Sequence, residues 1–140
     1  MRVVETREIS EVLRCIPMEV EIRKKGRDVM PIRDTLSLLK LNFDLNPYFK
    51  FYMIFPDDGE ELLGYIVLII RPEKEMKTIH LYRIWYNGKK EVLEQMKEII
   101  RYISKETKCK RLTIEVFKNE KALERLWGFK RYSVVMERRI

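Results

Sequence analysis

Apolar spacing in the second half of the chain predicts a strand, a polar turn and a long helix in direct succession. Residues 78–86 alternate as a strand does, and residues 87–90 form the polar turn. Between residues 91 and 105 apolar residues recur at helical spacing, namely Val92, Met96, Ile99, Ile100 and Ile103. A strand over 111–117, a short helix and a last strand ending at Ile140 complete this half.

The first half of the chain predicts a short strand, two helices and a hairpin. The strand contains Val3 and Val4, and a helix with Ser10 as its N-cap then runs to about Lys25. Pro17 must kink or divide that helix, because proline cannot donate a backbone hydrogen bond. A second helix spans residues 31 to about 41, and residues 48–70 form a β-hairpin whose turn is 57–60.

This order of elements predicts an α/β (α+β) fold. The order is β-α-α-β-β-β-α-β-α-β, in which three antiparallel strands follow one another and a crossover helix leads to a parallel strand. A mixed, mostly antiparallel central sheet with helices on both faces follows. The length of 140 residues fits a single domain spanning 1–140.

Composition narrows the class of protein. No apolar run approaches the roughly 20 residues of a membrane span, and the N-terminus lacks the apolar core of a signal peptide, so a cytoplasmic location is expected. The two cysteines, Cys15 and Cys109, are far apart and have no metal-binding spacing. High Lys, Glu, Arg and Ile content with a single glutamine, Gln95, is typical of thermophilic proteins.

The positive charge is concentrated in one half of the chain. Residues 1–70 carry ten Lys/Arg and twelve Asp/Glu, a balance of −2, whereas residues 71–140 carry nineteen and ten, a balance of +9. A helix that begins directly after a strand offers backbone N–H groups and a positive dipole end to an anion. The charge therefore favours a polyanionic ligand, either a phosphorylated cofactor or nucleic acid, although a solvated, salt-bridged face would give the same totals.

The order of elements resembles the fold of the GCN5-related N-acetyltransferases (GNAT superfamily), which are acyl-CoA N-acyltransferases. The local residues that carry the resemblance are Asn119, Ala122 and the pair Gly128-Phe129 around the last helix, the hairpin 57–65, and the loop Tyr86 to Lys90. The resemblance implies that acetyl-coenzyme A binds where the fourth and fifth strands diverge, with its pyrophosphate on the loop before the crossover helix.

The pyrophosphate loop departs from the family pattern, Gln/Arg-x-x-Gly-x-Gly/Ala. On this chain the first position is Asn87, the first motif glycine is replaced by Lys90 and the last small residue by Val92. Either the helix amides still bind phosphate with charge from Lys89 or Lys90, or the side chains of Lys90 and Val92 block the site. The resemblance assigns cofactor binding to Ile84, Trp85, Tyr86, Asn87, Gly88, Lys89, Lys90, Glu91, Val92 and Asn119.

Asn119 has two interpretations. The resemblance implies a hydrogen bond to the pantetheine arm of the cofactor or to the loop, and the position also suits the N-cap of the last helix. Both roles are compatible.

Acetyl transfer to an amine requires a base for the ammonium proton and an acid for the departing thiolate. The family's usual acid, a tyrosine in the last helix, has no counterpart here. Strict alternation along 78–86 places His80, Tyr82 and Tyr86 on one face, and Ile79, Leu81, Arg83 and Trp85 on the other. His80 is the candidate base and Tyr82 the candidate acid, although both residue types are more often structural at such positions.

The leading hypothesis is therefore an acetyl-coenzyme A-dependent N-acetyltransferase. Its acceptor would be an amine of a small molecule or a protein, and a homodimer is one assembly it could form. The alternative is a catalytically inactive module that keeps the fold to bind a partner. Nucleic-acid binding is disfavoured, because Glu91, Glu94 and Glu98 interrupt the lysines of the long helix.

Overall fold

The computed structural model describes residues 1–25, 30–72, 77–114 and 120–130. Within them the chain forms five strands and five α-helices, with a short 3₁₀ turn between α1 and α2. They are β1 (Arg2–Thr6), α1 (Ile9–Val12), α2 (Ile16–Lys24), α3 (Ile32–Leu45), β2 (Phe49–Phe55), β3 (Gly64–Pro72), β4 (Lys77–Tyr86), α4 (Lys90–Thr107), β5 (Arg111–Ile114) and α5 (Glu120–Trp127).

The strands form one sheet in chain order, β1-β2-β3-β4-β5. The first four strands pair antiparallel with their neighbours, and β5 joins β4 in parallel after the crossover through α4. The predicted mixed, mostly antiparallel sheet is confirmed. The predicted last strand lies outside the described residues.

Each face of the sheet is covered by helices. Val92, Met96, Ile99, Ile100 and Ile103 of α4 pack on one face, and Trp127 and Phe129 add to the same apolar cluster. On the other face, residues of the first three helices pack over β2 and β3 around Phe49, Phe51 and Tyr65. Because both faces are covered, most of β3 is buried, and its sequence from Tyr65 to Ile70 is continuously apolar.

Pro17 divides the first helical segment, as expected. The chain makes a 3₁₀ turn over Leu13–Cys15, and α2 then begins with Pro17 in its first turn, where no backbone N–H is required. The predicted cap was wrong, because the helix starts at Ile9 and Ser10 lies inside it. Glu8 is the N-cap and makes no side-chain cap hydrogen bond, and its own N–H donates to Thr6 Oγ1 over 3.1 Å.

Helix α3 is longer than its apolar spacing predicts. It ends at Leu45, and its C-cap Asn46 comes immediately before Pro47. Arg7 stabilises this end by donating to the carbonyl oxygens of Phe43 and Asn46, both at 2.8 Å. Arg7 lies in the β1–α1 connection, so the residue pattern of α3 itself does not reveal these bonds.

Candidate functional site

The parallel pair β4–β5 is described only at its beginning. Thr78 to Leu81 lie opposite Arg111 to Ile114. Directly after Leu81 the register between β3 and β4 shifts, since Val67 lies opposite Arg83 but Leu68 lies opposite Leu81. Tyr82 is therefore the extra residue of a β-bulge, and such a bulge bends the strand and redirects its side chains. Beyond it β4 continues along β3 as far as Tyr86.

The bulge corrects the predicted alternation along β4. Ile84 and Tyr86 pack with Ile79 and Leu81 on the face covered by α4. Tyr82 and Trp85 pack on the opposite face, where Arg83 reaches Glu19 of α2. Strict alternation was wrong for Arg83, Trp85 and Tyr86, because an inserted residue exchanges the faces of all that follow.

The loop between β4 and α4 has a defined backbone. The Asn87 N–H donates to the Leu63 carbonyl over 3.0 Å, and Asn87 Oδ1 accepts the Lys89 N–H at 3.0 Å. Gly88 has a φ of +86°, a conformation that favours glycine, and no described atom lies within 4 Å of the position a Cβ would take. The loop is thus anchored at one end to Leu63, the residue before β3, and open at its tip.

Helix α4 presents its first turn to solvent. The earliest intrahelical donors are Val92 and Leu93, which both bond to the Lys89 carbonyl. The N–H groups of Lys90 and Glu91 precede them and therefore have no acceptor within the helix. The side chains of Lys89, Lys90 and Glu91 are exposed. We call the backbone of 88–91 with the two lysine side chains the anion site.

Val92 does not occupy the anion site. Its side chain is 1% exposed and belongs to the core beneath α4. There Cγ1 lies 3.1 Å from the position that a Cβ on Gly64 would take. The larger residue at the family's last small position therefore points into the protein core.

The candidate base and acid have different surroundings. His80 is buried, pairs in register with Thr113, and its Nδ1 lies 2.9 Å from Thr113 Oγ1. It lies where β4 and β5 are still joined. Tyr82 is half-buried at the bulge, with its ring 6.2 Å from that of Phe49 in an edge-on arrangement. Of the two, Tyr82 is nearer to the point where the described pairing ends.

A buried polar cluster, not anticipated from the sequence, lies beside the bulge. Glu19 of α2 is 7% exposed, and its carboxylate accepts hydrogen bonds from Tyr65 Oη at 2.7 Å and Arg83 Nε at 2.9 Å. Arg83 Nη2 and Arg23 Nη1 contact Glu19 Oε2 at 2.6 and 2.8 Å. Arg23 also donates to Thr35 Oγ1 of α3. We call Glu19, Arg23, Tyr65 and Arg83 the Glu19 cluster.

The cluster determines the charge state of its members. Burial alone would raise the pKa of Glu19, but the hydrogen bonds and charge of Arg83, with hydrogen bonds from Tyr65 and Arg23, lower it below its usual value. Burial and the adjacent carboxylate raise the pKa of Tyr65. Glu19 is thus an ionised structural carboxylate. A lowered pKa and four hydrogen bonds make it a poor proton acceptor.

One sequence signal could have identified Glu19 as a buried residue. Val12, Cys15 and Glu19 lie at positions i, i+3 and i+7, so a carboxylate shares a helical stripe with core residues. All three are buried. A charge on such a stripe requires a buried partner, and the partner Arg83 was hidden by the bulge.

The remaining assigned residues do not gather at one point. Ile84 and Tyr86 pack against the core under α4, and the Trp85 ring stacks on Tyr65 at 6.0 Å on the other face. Asn119 lies outside the described residues. In the described part of the chain no helix is both long and apolar enough to span a membrane, and no group of three or more potential metal ligands occurs there.

Comparison with known proteins supports the fold. No protein-family model matches the chain, and no curated protein sequence is similar to it. Solved structures do match over nearly the whole length. Ribosomal-protein-alanine N-acetyltransferase from Brucella melitensis biovar Abortus 2308 superposes with a TM-score of 0.69 at 10% identity, covering 99% of both chains.

Two further structures agree. An aminoglycoside acetyltransferase from an uncultured soil metagenomic sample, solved with sisomicin, gives a TM-score of 0.72 at 9% identity over 99% of this chain and 95% of its own. A tetramutant of the BH1408 protein from Bacillus halodurans gives 0.71 at 15% identity over both full chains. The predicted GCN5-related N-acetyltransferase fold is confirmed, and at these identities the similarity concerns the fold.

Proposed function

We propose that this chain is an acetyl-coenzyme A-dependent N-acetyltransferase that acts on an amine. The observation that carries the proposal is the open first turn of α4 directly after β4, with Lys89 and Lys90 beside it. The fold shared with solved acetyltransferases supports the same assignment. Acetyl-coenzyme A, when bound, supplies the acetyl group as an activated thioester.

The anion site would hold the diphosphate through two kinds of donor. The N–H groups of Lys90 and Glu91 point out of the helix and align with its dipole. The ammonium groups of Lys89 and Lys90 add charge, which replaces the close backbone approach that small residues give in the family pattern. Asn87 fixes the loop to Leu63, the residue before β3, so these donors would be held in place before the ligand arrives.

Residues of β4 would serve the transfer. Tyr82 lies at the bulge and would donate its phenolic proton to the departing thiolate. His80 would accept the ammonium proton only through an intervening group, because its ring is buried between β4 and β5. We therefore propose Tyr82 as the acid. The base would be a group close to the acceptor amine, and His80 is a candidate for it through an intervening group.

Release of free thiol from acetyl-coenzyme A tests this function. The full chain is incubated with acetyl-coenzyme A and, separately, with a polyamine, an aminoglycoside and a peptide with a free N-terminal amine. We expect thiol release that depends on one of these amines, together with a product heavier by one acetyl group. Cofactor binding with no transfer to any amine would favour the non-catalytic module instead.

A further inference from the structure

The Glu19 cluster and the β4 bulge are adjacent, and the bulge is what brings them together. We propose that Glu19 and Arg83 are positioning residues whose ion pair fixes the bulge at Tyr82, and with it the path of residues 82–86 into the anion site. The structural part of this inference stands on the contacts alone. Its consequence for cofactor binding rests on the proposed function.

The ion pair has the geometry of a two-point clamp. Arg83 Nε meets Glu19 Oε1 at 2.9 Å while Arg83 Nη2 meets Oε2 at 2.6 Å. Both side chains are 9% exposed. A bidentate guanidinium–carboxylate pair fixes orientation as well as distance, so it specifies where the Arg83 backbone lies relative to α2.

Without the bulge, β4 would direct the Arg83 side chain to the opposite face of the sheet, away from Glu19. Strict alternation from Leu81 would direct the guanidinium to the face under α4, where Val92 and Met96 are 1% and 0% exposed. A charge buried there without a partner is strongly unfavourable. Only the bulged register directs Arg83 towards Glu19, so the pair selects that register against the regular one.

The carboxylate is itself fixed from several sides. Tyr65 donates to it from β3, and Tyr65 is the cross-strand neighbour of Trp85 and stacks on its ring. Arg23 joins it to Thr35 of α3. Glu19 is therefore held relative to β3 and both helices, and through Arg83 it holds the one segment of β4 that departs from regular pairing.

A change in the position of Arg83 would affect the anion site, because the two are close in the sequence. Only Ile84, Trp85 and Tyr86 separate Arg83 from Asn87, which anchors the loop. If the register of β4 slips, Asn87 loses its alignment with Leu63 and the first turn of α4 moves. A displacement of about 1 Å at a binding site is enough to weaken function substantially.

The test compares Arg83→Met with Tyr65→Phe as its matched control. Both remove buried polar atoms from one cluster, but only the first removes the ion pair to the bulged strand. Glu19→Gln, which keeps the shape of the side chain, serves if Arg83→Met does not fold. Two properties are measured well below the unfolding temperature: the cross-strand NOEs between β3 and β4, and the Kd for coenzyme A from calorimetry.

We expect Arg83→Met or Glu19→Gln to lose the NOEs that pair residue 67 with 83 and residue 65 with 85, and to bind coenzyme A about tenfold more weakly or worse. Tyr65→Phe should retain both. Wild-type NOEs and wild-type Kd in the folded ion-pair variants would overturn the inference. If the wild-type chain binds no coenzyme A, the proposed function fails, and the NOEs still decide whether the pair fixes the bulge.

Discussion

Gly64 illustrates how one side chain's absence determines a local arrangement. A Cβ at this position would lie 2.7 Å from Met96 Cε, 3.0 Å from the Trp85 carbonyl oxygen and 3.1 Å from Val92 Cγ1. Gly64 thus permits the first two turns of α4 to approach β3 and β4 closely. An added Cβ would displace the end of the Met96 side chain and press on the Trp85 carbonyl and Val92 Cγ1, which would have to move by a few tenths of an ångström.

We therefore expect Gly64→Ala to lower the free energy of unfolding by about 1–3 kcal/mol, the usual cost of overpacking a core. Urea denaturation measures it. Gly59→Ala is the control, since its Cβ would meet Pro56 no closer than 3.4 Å. That variant should be unchanged or more stable by up to about 1 kcal/mol, because alanine restricts the unfolded chain. Equal effects of the two substitutions would contradict the packing described for Gly64.

Protonation of Glu19 should lower the stability of the protein at acid pH. Its pKa is lowered in the folded state from the ordinary value of 4.5. A carboxyl with a depressed folded pKa contributes stability that is present above its unfolded pKa and is lost as pH falls through the folded value. The free energy of unfolding should therefore decrease as pH falls below about 4.5.

Glu19→Gln should lower stability at neutral pH and flatten this decrease, because the variant has no carboxyl to protonate at that position. Chemical denaturation of both proteins from neutral pH down into the acid range measures the difference. If the free energy of unfolding of the variant decreases as steeply at low pH as that of the wild type, carboxylates other than Glu19 cause the decrease.

At the level of single elements, Arg7 joins the first strand region to the end of α3. Its guanidinium donates to carbonyl oxygens at the C-terminus of α3, and also to the Phe49 carbonyl at 2.6 Å. Arg7→Met should lower the free energy of unfolding by about 1–2 kcal/mol, since carbonyls at a helix end lose charged donors. Lys40→Met, which removes an exposed charge from the middle of α3, should change stability little. Similar losses in both would indicate a general charge effect.

The elements themselves were largely predictable from apolar spacing. The long crossover helix was found almost to its bounds, because Val92, Met96 and Ile103 mark one buried face at the helical period. The bulge at Tyr82 was not predicted, because an inserted residue leaves the strand propensity of the segment unchanged. The contact that accompanies the bulge, between Arg83 and Glu19, joins residues that are far apart in the sequence. Ser10 was predicted as the cap from its residue type, but the helix begins before it, at Ile9, with Glu8 as its N-cap.

At the scale of the whole molecule, the order of elements predicted the place of the proposed anion site, and the structure describes the backbone there. Strand, turn and helix in succession indicated where backbone amides would be exposed. Whether Val92 would block them depended on its packing beneath Gly64, a contact between residues 28 positions apart in the sequence. The assignment of His80 and Tyr82 as base and acid stays a prediction, because the two residues lie on one face but in different surroundings.

Calorimetric titration of the full chain with acetyl-coenzyme A tests the central claim most directly. We predict saturable binding by the wild type, and binding about tenfold weaker for the double variant Lys89→Gln/Lys90→Gln, since two charged donors are lost. Lys105→Gln/Lys110→Gln, which removes the same charge near the opposite end of α4, should bind like the wild type. Absence of heat with the wild type at millimolar cofactor, or equal weakening by both double variants, would contradict an anion site at the start of α4.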